Sequence, residues 1–590
     1  MPSDSIFFHP AAGFLALAFL LPFLRGRSWR WLFFLPPAAA VVIAFTLVPG
    51  RYWIVEYLGQ DLVLGRVDAL TIIFVSLFAV QTLICAIFSF HVNDRAYHTA
   101  ASYCAVGSIG CVMAGDYWTF FIFWEIMNLA SAFLIWLNRT PRSTAAGFRY
   151  LLFLSVGTAF LFVGILLRYG SLGTFAFEQV DASMIGHYDW LILTGLCFNA
   201  AVVPLHAWVT DAYPEATVTG TVLLSALACK TAVYALARCF PGLDLLAALG
   251  TVMAVYGVIY ALFENSIRRM LSYLLVSQIG FMVAGIGMGT ATSINAALAQ
   301  ACTHTFYNGL IFMAAACLLH AAGNDELSRL GGVAKRLPLV MAGYMIAALS
   351  LSAVPFLSGF ISLPMIISGA VDSDRTFIIA GLVIAALGTF FSAGLRLPYL
   401  LLMTRAPEPK ILEPVPINMY AAMAVAAVLC VVQGVFPGLT YRMLPYPVQY
   451  TPYTWWKILG VFSLFGLTCL GFFLLRRVMH SRPFRHPDFD VLYRACGRGV
   501  LGYISRPLAW ADLRWAEFYR VLGLRGLLKG AGRGRWFDAK GIDFVVEGTA
   551  TIMLGLGKIS AKLQTGRLQG QLAWMVTLAL VLFGLIWFWS

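Results

Sequence analysis

Charge is scarce in this chain. Of 590 residues only 11% are Asp, Glu, Lys or Arg, 60% are hydrophobic, and the mean hydropathy is +0.82. Soluble domains carry roughly 25% charged residues. So few polar side chains cannot cover a surface that faces water, which excludes soluble globular, disordered, collagen-like and disulfide-rich secreted proteins. Cysteine is also thin. The 11 cysteines are scattered, and most lie inside apolar runs (Cys85, Cys104, Cys111, Cys197, Cys229, Cys302, Cys317, Cys430 and Cys469). None forms a CxxC or a Cys/His cluster with metal-ligand spacing, so they read as small apolar side chains packed between helices. No basic region precedes the first apolar run, which follows Asp4, so that run reads as a retained helix and not a cleaved signal. The glycine-rich stretches Gly285-Ile286-Gly287-Met288-Gly289 and Gly530-Ala531-Gly532-Arg533-Gly534 lack the strand–helix context of a dinucleotide site. There is no nucleotide-binding or nucleophile constellation, and no cofactor or metal is expected.

What is present is a series of long apolar runs. About 20 residues are needed to cross about 30 Å of hydrocarbon. Such runs fall near 7–24, 32–48, 69–91, 99–115, 117–137, 150–168, 189–209, 217–238, 242–263, 271–289, 294–320, 338–366, 376–403, 418–436, 455–475 and 571–590. The chain therefore reads as an all-α polytopic membrane protein with about sixteen transmembrane helices. Loop charge supports the count. Six basic residues (Arg51, Arg66, Arg168, Arg238, Arg375 and Arg442) fall on the face of the termini. Fourteen fall on the other: Arg25, Arg27, Arg30, Arg95, Arg139, Arg142, Arg149, Arg268, Arg269, Arg329, Lys335, Arg336, Arg405 and Lys410. The richer face is expected to be cytoplasmic, which places both termini outside a cell membrane, a bacterial inner membrane by preference.

Residues 476–570 differ from the rest. They hold 17 Lys and Arg against seven Asp and Glu, so +10 of the chain's +13 sits in one segment. Trp510, Trp515, Phe518, Tyr519, Leu522 and Leu524 are interleaved with the charges. Apolar side chains beside arginine heads suit amphipathic helices lying in the headgroup layer, held by anionic lipid. A segment tethered between two spans that resembles no nucleic-acid module is not expected to bind nucleic acid.

Ionisable residues inside spans are functional candidates, because a charge in hydrocarbon costs a few kcal/mol or more. Glu125 and Lys230 sit mid-span, Arg396 lies toward the end of its span, and Lys457 stands at a span edge where it can snorkel. His206, His304 and His320 add titratable capacity, each as open to a packing role as to a proton relay. Pro204 and Pro355 interrupt two long runs and free backbone carbonyls at membrane depth, which must find partners or line a wet cavity. A pair of broken helices in successive halves points to an ion pathway between repeats, with ordinary proline kinks as the alternative.

Several motifs then occur in order: Trp124-Glu125, Pro204-Leu205-His206-Ala207-Trp208 with Asp211-Ala212-Tyr213-Pro214-Glu215-Ala216, and Lys230-Thr231-Ala232-Val233-Tyr234 with Arg238. Arg268-Arg269-Met270-Leu271-Ser272-Tyr273, Ser277-Gln278-Ile279-Gly280 and Ser358-Gly359-Phe360-Ile361-Ser362 follow. Across roughly residues 70–400 the chain resembles the antiporter-like membrane subunits of respiratory complex I, Mrp-type Na⁺/H⁺ antiporters and membrane-bound hydrogenases. The Pro-Leu-His-Ala-Trp stretch looks most like an Mrp-type Na⁺/H⁺ antiporter subunit. The tail through Leu563-Gln564-Thr565-Gly566-Arg567 looks like the complex I subunit with a lateral helix.

The resemblance implies two inverted five-helix repeats, 99–238 and 242–403. They are flanked by helices in 1–98 and 418–475, the basic segment 476–570 and a last span, 571–590. It implies a proton or Na⁺ pathway through Glu125, Lys230, His304 and His206, other membrane subunits as partners, and any NADH–quinone chemistry residing in the whole complex. Three pathway positions depart from the family pattern: Asn199 and Asn308 stand where lysines are expected, and Leu363 where a lysine or glutamate is. Ser266 replaces the usual acid before the basic pair. Without a lysine at 199, Glu125 lacks the positive neighbour that holds a carboxylate ionised. The expectation is a partly titratable first half-channel and a second one nearly emptied of fixed charge. The alternatives are a non-pumping structural or lipid-anchoring subunit, and a membrane redox enzyme or solute transporter.

Overall fold

The computed structural model describes residues 7–24, 29–57, 59–403, 413–476, 487–524, 543–563 and 568–589. Asp4, Arg25, Arg27, Arg405, Lys410, the 530–534 glycine stretch and Gln564–Arg567 lie outside them. Two compact units are present, Met1–His486 and Pro487–Ser590.

The first unit opens with α1 (Pro10–Leu20), α2 (Trp29–Leu32) and α3 (Leu35–Thr46). A β-hairpin follows, β1 (Gly50–Tyr57) against β2 (Gln60–Val67), with Arg51 opposite Arg66 and Glu56 opposite Asp61. This corrects the all-α expectation. Aromatic and β-branched residues (Tyr52, Trp53, Ile54, Val55) and a turn with Gly59 at φ 70° favour an antiparallel pair here. Next come α4 (Ala69–Phe88), α5 (Arg95–Met113), α6 (Tyr117–Trp136), α7 (Pro141–Leu172), α8 (His187–Asn199), α9 (Ala207–Ala212) and α10 (Val218–Cys239). Then follow α11 (Asp244–Phe263), α12 (Ile267–Met288), α13 (Ala291–Ala322), α14 (Pro338–Leu351), α15 (Leu363–Asp372), α16 (Thr376–Thr389) and α17 (Leu397–Leu402). A π-helical stretch, Phe390–Arg396, joins the last two. The unit closes with α18 (Ile417–Val435), α19 (Pro437–Tyr441) and α20 (Trp455–Leu475).

Among the described residues eleven helices are long and apolar enough to cross a membrane, and four shorter apolar helices accompany them. Fewer than sixteen runs qualify because two are broken and because α5 carries Arg95, His98, Ser102 and Ser108 along its length. Arg168 and Arg238, expected in loops, stand inside α7 and α10.

Caps of one kind recur 150 residues apart. Thr140 and Ser143 cap α7 reciprocally, and Thr290 and Ser293 do the same for α13. Asp116 and Ser266 cap α6 and α12, and each forms an isolated bridge, to Ala176 and to Glu326. The two breaks also match. Ala201 and Ala353 adopt φ of 54° and 58°, and in both the chain turns back onto the helix it leaves, Val202 N–H to Cys197 O and Val354 N–H to Leu349 O, each 3.0 Å.

Small residues set the closest helix crossing. Gly250 and Gly257 on α11 face Gly280 and Gly287 on α12; a Cβ on Gly287 would lie 2.1 Å from Ala247 N. Without a hydrophobic drive between helices in lipid, such close backbone contact supplies the dispersion energy that holds them.

In the second unit α21 (Asp490–Phe518), with Pro507 inside it, runs into a π-helical stretch, Tyr519–Leu524. The helices α22 (Asp543–Leu563) and α23 (Leu568–Trp589) follow. Trp510, Trp515, Phe518 and Tyr519 are exposed.

Candidate functional site

The pathway residues gather in two clusters, each at an irregular point of a helix. In the first, Glu125 and Asn128 stand three residues apart on α6, one face of a helix turn. Glu125 touches Asn128 and Thr158 of α7, and its Oε1 is buried without a hydrogen-bond partner among the described residues. Asn128 donates to Thr158 Oγ1 (3.5 Å), and Asn199 donates to Asn128 Oδ1 (2.9 Å). Asn199 ends α8, where the break starts. The Phe198 carbonyl released there accepts the Trp208 indole N–H at 2.8 Å, so the break is closed from inside the protein. The position expected to hold a lysine therefore does face Glu125's cluster, but with an amide that bonds and cannot titrate.

In the second cluster Lys230 is fully buried in α10 and donates to the Ser225 carbonyl. Asn308 of α13 donates to the same carbonyl (3.3 Å). His304, one turn earlier on α13, is fully buried and interacts electrostatically with Lys230. Neither of its ring nitrogens has a hydrogen-bond partner among the described residues, and its ring meets Tyr307 edge-on at 5.2 Å. One backbone oxygen thus joins the helix of Lys230 to that of His304. Among the described residues no ion pair joins Glu125 to Lys230; each belongs to its own cluster.

The remaining candidates lie elsewhere. Pro204 follows a cis peptide in the first break, and Pro355 lies in the second. His206 is buried at the start of α9 against the rings of Tyr256 (4.7 Å) and Tyr273 (6.3 Å). Leu363, the first residue of α15, lines an apolar cavity of about 220 Å³ with Ala353, Leu387, Lys457 and Leu464. The residue that stands two before Ala353, as Asn199 stands two before Ala201, is Leu351. Arg396 is buried and donates to Glu264 O (3.2 Å), while Lys457 donates to Thr451 O and covers the Tyr450 ring. Among the described residues no group of three or more His, Cys, Asp or Glu could hold a metal ion.

A neutral network in the second half escaped the sequence reading. Gln300 donates to Gln278 Oε1 and to Tyr307 OH (2.7 Å each). Ser362, beside the second break, donates to Gln300 Oε1 (2.6 Å) and bonds Thr303 (2.8 Å). All five side chains are buried. Gln300, Thr303, His304 and Tyr307 follow the spacing i, i+3, i+4, i+7, a polar stripe on an otherwise apolar helix; that pattern was the available signal.

Residues 114–392 match the family model described as NADH:quinone oxidoreductase/Mrp antiporter, TM. The chain is 27% identical over 413 residues to NADH-quinone oxidoreductase subunit N of Desulforudis audaxviator, covering 65% of this chain and 82% of that one. Its fold is similar to a chain of the Mrp complex from Dietzia sp., with TM-score 0.68 and 22% identity, covering 77% of this chain and 98% of that one. It is also similar to a chain of an archaeal membrane-bound sulfane sulfur reductase, with TM-score 0.66 and 22% identity, covering 74% and 95%. Two broken helices, a buried carboxyl and a buried amine lie within the matched span. Through that span this multi-pass membrane protein belongs to the NADH:quinone oxidoreductase/Mrp antiporter transmembrane family, as an antiporter-like subunit.

Proposed function

We propose that the chain moves protons, or protons in exchange for Na⁺ as in the Mrp-type antiporters, as one subunit of a multi-subunit membrane complex. The observation that carries this reading is the fully buried Lys230, shared through the Ser225 carbonyl with Asn308 and set against His304. An amine kept away from water and without a carboxylate partner is costly, and a stable core has no use for it. In this reading Glu125 takes up a proton in the first half, Lys230 carries it to the middle, and His304 receives it for a second half-channel whose other groups are neutral. His206 lies beside the first break as an auxiliary titratable group. The two broken helices form two inverted repeats, the basic segment 476–570 rests on anionic lipid, and the spans number about sixteen, with both termini outside a bacterial inner membrane.

The neutral Asn199, Asn308 and Leu363 favour a second reading, a subunit that keeps the fold and anchors its neighbours without pumping. Glu125→Gln separates the two. In vesicles containing the whole complex, loss of ion flux with assembly intact supports conduction, and unchanged flux supports the structural role.

A further inference from the structure

Lys230, Tyr234 and Arg238 follow at four-residue spacing on one face of α10, and all three are buried. Tyr234 OH donates to Val112 O (2.6 Å) and accepts from Arg238 Nε (2.7 Å). Arg238 grips Asp68 with both terminal nitrogens (2.8 and 2.9 Å) and reaches Thr71 Oγ1 (3.2 Å). Asp68 is the N-cap of α4, accepts from Thr71 N–H, and also pairs with Arg66 of the hairpin (3.1 Å). Burial pushes the Asp68 carboxyl up, and the bonds and charge of Arg238 more than reverse this, holding it well below the usual carboxylate range. Arg66 in turn donates to Phe177 O (2.8 Å), and both residues line a cavity of about 370 Å³ at the hairpin. A file of polar groups therefore runs from the buried amine through a hydroxyl and a guanidinium to a half-buried carboxylate and an open cavity.

We propose that Arg238, held by Asp68 and Tyr234, is a lock that closes the hairpin end of the Lys230 pathway. This rests on the conduction reading given above. A guanidinium does not release its proton in proteins, so Arg238 interrupts a relay that Tyr234 and Asp68 would otherwise complete. Two arginines against one aspartate leave a net positive charge that repels a cation arriving from the cavity. The fork geometry fixes Arg238 in the closed position. Arg238 is a positioning residue, and Tyr234 sets the direction of its side chain.

The test uses the whole complex in sealed vesicles, with inward proton leak under an imposed K⁺ diffusion potential read by an internal pH dye. Arg238→Gln is expected to raise the leak about tenfold, the rate change that follows loss of a pair of charge-assisted bonds. Adding Lys230→Met is expected to return it to the wild-type level. A leak that stays low in Arg238→Gln, or persists in the double variant, overturns the lock. Where Arg238→Gln fails to assemble, Tyr234→Phe keeps the ring and removes the bridging hydroxyl; it should raise the leak more modestly, and no rise overturns the proposal. Wild-type flux that depends on Lys230, together with an unchanged Arg238→Gln leak, overturns the lock alone. No Lys230-dependent flux in any variant overturns conduction as well.

Discussion

Replacing Lys230 by methionine isolates what the buried amine contributes. Methionine matches its length, fills the same space and carries no charge. Keeping an ammonium away from water costs several kcal/mol even after the protein relaxes. Against this, Lys230 makes one hydrogen bond, to the Ser225 carbonyl, and bonds to charged groups return about 1.5–3 kcal/mol. That carbonyl is not orphaned by the change, since Asn308 still donates to it at 3.3 Å. The substitution should therefore be neutral or stabilising by about 1–4 kcal/mol. Transport should move the other way. A charge passing an apolar side chain meets a barrier higher by several kcal/mol, and each 1.36 kcal/mol is a factor of ten in rate. Flux should fall by about two orders of magnitude or more. Thermal denaturation of the purified complex and dye-monitored flux in vesicles measure the two effects on one preparation. Lost stability with retained flux would refute the reasoning at both ends, because Lys230 would then be a structural residue.

Four further outcomes follow from other residues. Asp189→Asn should destabilise by about 3–5 kcal/mol in thermal unfolding, because it leaves the Arg168 guanidinium, 2.5 Å away with 11% of its side chain exposed, without its partner. Gly287→Val should cost at least about 3 kcal/mol or abolish assembly, since even a Cβ meets backbone at 2.1 Å; assembly is read by size-exclusion chromatography. Burial, then the charges of His320 and Arg30, hold the His91 imidazole below 6.5, so the folded state binds fewer protons than the unfolded one. Stability should therefore decline as pH falls below 6.5; His91→Gln should flatten that slope in pH-resolved melting curves, with Glu413, which pairs with His320, left in place. His304→Phe should reduce flux as strongly as Lys230→Met while His304→Gln is less damaging, because only glutamine keeps groups able to orient water; equal retention of flux in both would exclude a relay through this position.

Hydropathy made the helices and both breaks legible, because a span of apolar residues and a proline within it are local signals. Glu125, Lys230 and His304 were legible for a related reason: a titratable group in an apolar run has no local compensation. The hairpin was hidden because its aromatic and β-branched residues add to hydrophobic length as readily as they mark alternation. The Gln278–Gln300–Ser362 network was hidden because amides and hydroxyls do not stand out by charge, and their partners come from three distant helices. Nor does sequence spacing reveal that Asn308 and Lys230 share an acceptor 83 residues from one of them.

The two halves solve the same electrostatic problem differently. In the first, Glu125 keeps one buried oxygen without a partner and Asn199 satisfies Asn128 beside it, so titratable capacity is retained and the countercharge is missing. In the second, the amides of Gln278 and Gln300 and the hydroxyls of Thr303, Tyr307 and Ser362 bond chiefly to one another. Such a network orders its members at low electrostatic cost, because no ion is desolvated, but it cannot store a proton. A charge leaving Lys230 therefore meets His304 as the single titratable side chain among these groups. The imidazole stands between a cluster that can hold a proton and a network that can only orient hydrogen bonds. Conduction through this fold then depends less on a row of fixed charges than on how often that one ring and the amine beside it exchange a proton.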